Sequence, residues 1–291
     1  MINDIEYMPQ TELITFGAVH LNVTNLQNSL AFWQKMGGLQ IRKVNNNTAE
    51  IGTNTKTLVV LHQEAKKPFQ TGFSGLYHFA IHASDENEFA KIVFNLLSES
   101  YPFSPVDHVM SKSVYLKDPD GINIEFALET PERFKKVIAS DGLIIEDSDG
   151  NMRPASGLLS VDQLLQHLPP ATQKLELSDN AKIGHFHFYA KNVEQTNQFY
   201  QNLGFRQFNH LPQYLYADLG AGGLYQHRVA LNSWHGVNKP VAPPFFAGLK
   251  YYELVYQNVS ILDEALDRLH LAKESETGVV DPSGNSILLR F

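Results

Sequence analysis

Gly17-Ala18-Val19-His20-Leu21-Asn22-Val23-Thr24-Asn25-Leu26 and Gly184-His185-Phe186-His187-Phe188-Tyr189-Ala190-Lys191-Asn192-Val193 are two versions of one unit. Each reads as an alternating strand, over Val19–Val23 and Phe186–Ala190, that runs into a helix. The agreement continues at a constant offset. His20 matches His187, and Phe32-Trp33 matches Phe199-Tyr200 in helices that end near Gly37 and Gly204, glycine being a common helix stop. A repeat of this kind sets the architecture before any single element is assigned.

A second pair lies outside the first. Gly75-Leu76-Tyr77-His78 matches Gly248-Leu249-Lys250-Tyr251, and Asp118-Pro119-Asp120-Gly121 matches Asp281-Pro282-Ser283-Gly284. Asp-Pro-x-Gly is a tight-turn signal, because proline fixes φ and glycine accepts a positive one. Glu125 follows the first turn where Leu288 follows the second. The chain therefore reads as an α+β protein of four βαβββ modules, with helices expected over Gln27–Lys35, Asp85–Ser98, Val193–Asn202 and Ser260–Leu271. Residues 10–135 form an N-terminal half and 181–291 a C-terminal half. Residues 136–180 fit neither repeat and read as a connector with one short helix near Val161–His167.

Composition narrows the chemistry. A length of 291 residues allows two ordinary cores. Net charge is −8 and no dense basic run occurs, so nucleic acid is not an expected partner. No apolar stretch approaches a membrane span, and Met1–Leu13 does not read as a secretory signal; a cytoplasmic location is expected. Cysteine is absent while histidine numbers 12. Disulfides and thiolate ligands are excluded, and a transition metal would be held by imidazole and carboxylate, which suits Fe, Mn, Ni or Zn.

Module two carries the chemical pattern. His78 lies on its first strand. Val106-Asp107-His108, Val114-Tyr115, Asp118-Pro119-Asp120-Gly121 and Glu125 follow in order. An acidic side chain within Ile122–Leu128 is costly to bury without a cation or partner. Tyr115 and Glu125 flank the turn and so fall on adjacent strands, with Ile124 and Phe126 facing away from Glu125.

The modules and this pattern resemble the vicinal-oxygen-chelate superfamily, which includes glyoxalase I, bleomycin-resistance proteins and extradiol dioxygenases. The resemblance covers roughly residues 14–131 and 181–291. It implies that the modules pair into two cup-shaped half-barrel sheets, with the metal in a cup. The order His, apolar-Tyr, Asp-Pro-x-Gly, Glu is that of the extradiol enzymes. By that resemblance His78 and Glu125 are metal ligands, and His108 and Tyr115 hydrogen-bond the substrate oxygens. The implied metal is Fe(II), with Mn(II) as the alternative. The implied substrates are a small aromatic diol and O2. A homo-oligomer is left open.

Two histidines compete to complete the ligand set. His20 would serve if modules one and two share a cup, His187 if modules two and three do. Module three also has Tyr225-Gln226-His227-Arg228-Val229-Ala230-Leu231, similar to the strand that supplies an acid/base histidine in extradiol enzymes, whereas module one has Thr57 in that place. Leu231-Asn232-Ser233-Trp234 further resembles the CatE-type catechol 2,3-dioxygenases. His187 is therefore the expected third ligand, with His20 as alternative and His227 as acid/base. His185 shares the strand face of His187 and stands behind it as a candidate. Trp234, His235 and Phe245-Phe246 are expected to pack. Two other functions use this fold: a glyoxalase-like metal lyase or isomerase, and a non-enzymatic binding protein of the bleomycin-resistance type. The His108–Tyr115 pair argues against the first and the full ligand set against the second.

Overall fold

Four short polar side chains start the four repeat helices. Asn25, Asp85, Asn192 and Asn258 have extended backbone, and each accepts a hydrogen bond from an N–H three residues on, at Asn28, Glu88, Gln195 and Ile261. Such caps satisfy donors that the first helical turn leaves free. The computed structural model describes residues 11–139, 142–170 and 174–291.

Module one comprises β1 (Ile14–Asn22), α1 (Leu26–Lys35), β2 (Gln40–Val44), β3 (Thr48–Gly52) and β4 (Thr57–His62). Module two comprises β5 (Gly75–His82), α2 (Glu86–Ser98), β6 (Ser104–Asp107), β7 (Ser111–Lys117) and β8 (Asn123–Glu129). The connector folds into β9 (Phe134–Ala139), β10 (Leu143–Asp147), β11 (Met152–Pro154), β12 (Gly157–Leu158) and α3 (Val161–Leu165). Module three is β13 (Lys182–Tyr189), α4 (Val193–Asn202), β14 (Arg206–Leu211), β15 (Tyr216–Gly220) and β16 (Val229–Asn232). Module four is β17 (Gly248–Tyr256), α5 (Val259–Arg268), β18 (Glu276–Val280) and β19 (Ser286–Arg290), so two described strands follow its helix rather than three.

In every module the first strand lies parallel to the last. Modules join through antiparallel first strands, β1 with β17 and β5 with β13. Modules one and four thus share a seven-stranded sheet, β18-β19-β17-β1-β4-β3-β2. Modules two and three share a nine-stranded sheet, β12-β6-β7-β8-β5-β13-β16-β15-β14. The expected pairing into two half-barrel cups is present, and each cup draws one module from each half of the chain.

Strand alternation decides which side chains enter the cup of modules two and three. Phe79 and Phe186 alternate with His78, His185 and His187 and are fully buried on the opposite face. There Phe186 meets Tyr252 at 4.3 Å and Phe16 at 5.0 Å between ring centres, both from the other sheet. Phe79 meets Trp33 of α1 at 6.1 Å. Truncating a ring in such a setting costs about 3–5 kcal/mol. The apolar faces join the sheets and leave the histidines on the concave side.

The Asp-Pro-x-Gly turns form as the sequence implies. Asp118 accepts from the N–H groups of Asp120 and Ile122, and Asp281 from those of Ser283 and Asn285. Gly121 and Gly284 hold φ of 84° and 92°. The connector is more structured than a linker. Strands β9–β11 form a separate antiparallel sheet, and β12 extends the edge of the nine-stranded sheet beside β6. Phe134 and Ile145 pack with Val109, Met110, Phe208 and Tyr225 in a second apolar cluster over the cup.

Candidate metal centre and substrate cavity

Three adjacent strands bring three donors together. His78 stands on β5, Glu125 on β8 beside it, and His185 on β13 at its other side. All three are buried, at 4%, 1% and 2% exposure. His78 Nε2 and His185 Nε2 each lie 3.0 Å from Glu125 Oε2. They are the one group of His or carboxylate donors, among the described residues, arranged to hold an ion.

The donor set fits a divalent metal. Two ligands at right angles around an ion with bonds of about 2.1 Å sit about 3.0 Å apart. His78 Nε2 is buried and makes no well-aligned hydrogen bond among the described residues, although Glu125 Oε2 is 3.0 Å away. Burial acts to raise the Glu125 pKa, but His185, by its charge and hydrogen bond, and the nearby His78 outweigh it and hold the carboxyl well below its usual range. Burial pushes His185 well below the ordinary imidazole range. A carboxylate with two imidazoles on one face is the donor set of non-haem Fe(II) oxygenases.

The third donor differs from the expectation. His187 was expected beside Glu125, but its Nε2 lies 2.7 Å from the side-chain amide nitrogen of Asn232, which donates to it. The backbone register shifts between Ile183 and His185 and again after His187, so His185 carries its ring to Glu125. His187 still lines the cavity, its ring centre 5.0 Å from that of His78. His20, the alternative, belongs to the other sheet. There it lies 3.1 Å from His62 Nε2 and 3.3 Å from Glu253 Oε1, and stacks on Tyr251 at 3.8 Å.

The remaining expected site residues gather around this centre. Tyr115 and Glu125 are direct cross-strand partners on β7 and β8. The Tyr115 hydroxyl is 2.8 Å from His108 Nε2, and His108 Nδ1 donates to the Ala155 carbonyl at 2.7 Å. That second bond leaves Nε2 as acceptor, so Tyr115 is the donor between them. Burial first, then the charge of Glu125, raises the Tyr115 pKa well above normal and keeps it a phenol. His227 Nδ1 donates to Asp218 at 2.9 Å, and the Tyr216 hydroxyl donates to the same oxygen at 2.9 Å. Asp218 and Tyr216 were not singled out from sequence. Their spacing of two on β15 puts both on one strand face, which is the signal they carried.

These groups line one cavity of about 380 Å³. Its inner end holds the histidines and Glu125. Its outer wall is apolar and comes largely from the connector: Phe134, Val137, Leu143 and Ile145, with Met110 and Phe208 opposite. Trp234 lines the same cavity and is half exposed, while its indole N–H donates to the Tyr214 carbonyl at 2.8 Å.

Residues 15–126 match the sequence profile of the Glyoxalase/Bleomycin resistance protein/Dioxygenase superfamily. They belong to that superfamily. The glyoxalase/dioxygenase fold extends over the rest of the chain. A curated relative, the catechol-2,3-dioxygenase of Bacillus subtilis (strain 168), is 28% identical over 257 residues, covering 87% of this chain and 86% of its own. A candidate dioxygenase from Bacillus subtilis subsp. subtilis str. 168 superposes with a TM-score of 0.58 at 10% identity, over 94% of this chain and 84% of that one. A glyoxalase I mutant from Zea mays does so with a TM-score of 0.55 at 15% identity, over 98% and 95%. Within this glyoxalase/dioxygenase scaffold the two cups are not equivalent. Tyr251 and Leu288 stand in module four where module two has His78 and Glu125. Among the described residues, such a donor set occurs in the cup of modules two and three alone. No described helix is long and apolar enough to cross a membrane. Together the superfamily, the relative and the donor set support a metal-dependent enzyme.

Proposed function

We propose that the chain is an Fe(II)-dependent extradiol dioxygenase that opens aromatic diols with O2, its metal held by His78, Glu125 and His185. The observation that carries this reading is the His108–Tyr115 pair set in the same cavity as the three donors. With its hydrogen given to His108, the Tyr115 oxygen is free to accept a hydrogen bond from a diol hydroxyl. Fe(II) at such a centre supplies the one-electron chemistry that lets a closed-shell diol react with triplet dioxygen, and its protein donors leave three positions open. Mn(II) suits the same donors.

The protein's own groups do the rest. Tyr115, kept protonated and already donating to His108, has its oxygen lone pairs turned to a substrate hydroxyl. His108, anchored by Ala155, accepts protons at a fixed Nε2. His227, held through Nδ1 by Asp218, keeps Nε2 for taking a proton from the diol and returning it as the ring opens. Both atoms of dioxygen enter the product as the carbon–carbon bond beside the diol breaks. A cavity of about 380 Å³ with an apolar connector wall is larger than a bare catechol ring requires and supports a diol bearing an apolar substituent.

The test is anaerobic loading with Fe(II), then catechol and an alkyl-substituted catechol in air, followed by visible absorbance. A yellow ring-opened product that disappears in Glu125→Ala is expected. Bound stoichiometric iron with no product from either diol overturns the reading.

A further inference from the structure

Beyond the donors, a buried chain of hydrogen bonds leads away from His185. Its Nδ1 lies 2.8 Å from His82 Nε2, and His82 Nδ1 lies 2.8 Å from Glu129 Oε1. Glu129 is also held by Arg228 Nη1 at 2.7 Å and Lys182 Nζ at 3.1 Å. We propose that His82, clamped by Glu129 and seated over Gly184, is a positioning residue that fixes the tautomer and ring angle of His185 and so sets how tightly the centre holds its metal. The proposal rests on the metal-binding part of the reading above, not on the reaction.

The argument is one of donors and acceptors. A carboxylate held by two cations can only accept, so His82 Nδ1 carries the hydrogen. A neutral His82 then presents a bare Nε2, and the contact at 2.8 Å is complete only if His185 Nδ1 donates. His185 Nε2 is then the nitrogen that faces Glu125 Oε2 at 3.0 Å, and it is the one that gives up its hydrogen when a metal takes the place of that contact.

The backbone is shaped for this contact. A Cβ on Gly184 would come within 2.0 Å of His82 Cγ and Cδ2, so only glycine lets the ring lie across β13. The Gly184 carbonyl accepts from Arg228 Nη1 at 2.9 Å, the same guanidinium that holds Glu129. Arg228 is in turn paired with Glu12. His82, Glu129, Arg228 and Gly184 therefore form one assembly whose inner end is a metal-facing imidazole.

The experiment uses the full chain and the variants His82→Leu, His82→Gln and Gly184→Ala. Nitrogen-resolved histidine NMR of the metal-free protein should show His185 protonated at Nδ1, a signal assigned by its loss in His185→Ala. Titration with Mn(II) should give ~10–100-fold weaker binding for His82→Leu and Gly184→Ala, the usual effect of removing a ligand's outer partner. His82→Gln should bind within a few-fold of the native chain, since its amide can accept from His185 and donate to Glu129. A His185 with no hydrogen on Nδ1, or a folded His82→Leu that binds Mn(II) as tightly as the native chain, overturns the proposal. If the variants weaken Mn(II) binding as expected while no diol is cleaved by the iron form, the positioning role stands and the dioxygenase reading falls. A native chain that binds no divalent ion sinks both.

Discussion

His78 and His185 occupy equivalent places in their modules. Each stands seven residues before the cap of the helix that follows it, Asp85 for one and Asn192 for the other, and their strands run antiparallel side by side. The pseudo-twofold axis between β5 and β13 therefore turns one ring toward the other across Glu125. The same count from Asn25 reaches Ala18, and from Asn258 it reaches Tyr251. Neither of these is a metal donor at neutral pH, so the other cup lacks both histidines.

This equivalence separates three alanine variants. His185→Ala should lower metal affinity by more than about 100-fold, since even the outer partners of ligands contribute ~10–100-fold. His187→Ala should retain metal, because its Nε2 is engaged by Asn232. His20→Ala should retain metal as well, being bound to His62 and Glu253 in the other sheet. Metal content after dialysis, read beside circular dichroism, checks this. Retention in His185→Ala with loss in His187→Ala would return the ligand role to His187.

Much of this was legible in the sequence, and the reasons are local. The Asp-Pro-x-Gly turns and the helices follow from residue types whose backbone preferences are strong, and the pairing of modules two and three from the resemblance of the His227 strand to the acid/base strand of extradiol enzymes. Glu125 could be placed because a carboxylate between Ile124 and Phe126 is stable in a buried strand only beside a cation or a hydrogen-bond partner. The choice of His187 over His185 rested on matching module three to module one, where the aligned histidine, His20, is not a cup donor. Matching module three to module two through the helix caps gives His185. The register shifts in β13 were invisible, since a bulge depends on what the neighbouring strand presents. Strands β9–β11 were missed because they repeat nothing else in the chain.

His227 and Asp218 give a second prediction. His227→Ala should lower kcat by ~10²–10⁴-fold, the usual range for a lost acid/base, while metal content stays at the native level. Asp218→Asn should produce a smaller loss in the same direction, because an amide no longer fixes which nitrogen of His227 carries the hydrogen. Steady-state kinetics with iron quantified in the same samples distinguishes a proton-transfer defect from a metal defect. A drop in iron equal to the drop in rate would remove His227 from the acid/base role.

The connector wall predicts selectivity. Ile145 is buried on β10 and lines the cavity, as do Val137 and Leu143. Ile145→Ala removes apolar surface where a ring substituent would rest, which weakens transition-state binding by roughly 1–2 kcal/mol for substituted diols. The expected result is about a tenfold fall in kcat/KM for an alkyl-substituted catechol and little change for catechol itself. Equal losses for both would mean that Ile145 supports the fold of the connector and does not contact substrate.

Asp118 links the fold to pH. It is buried at the turn that leads into Glu125. Burial raises its pKa from 3.8 to about 7, against hydrogen bonds from the backbone of Ile122, Asp120 and Gly121. One oxygen, Oδ2, has no hydrogen-bond partner among the described residues. A folded pKa above the unfolded one means that the native state holds the proton more tightly. The contribution to stability is therefore fully present below about pH 4 and is lost as pH rises through about 7. The shift corresponds to about 4 kcal/mol at about 1.36 kcal/mol per unit. Asp118→Asn keeps an acceptor for the turn and cannot ionise, so it should melt closer to the native protein at pH 5 and increasingly above it toward pH 8. Thermal melts of the two proteins across that range measure the difference directly. A constant difference would show that Asp118 does not change its charge there, and that water or a cation reaches Oδ2 in the folded protein.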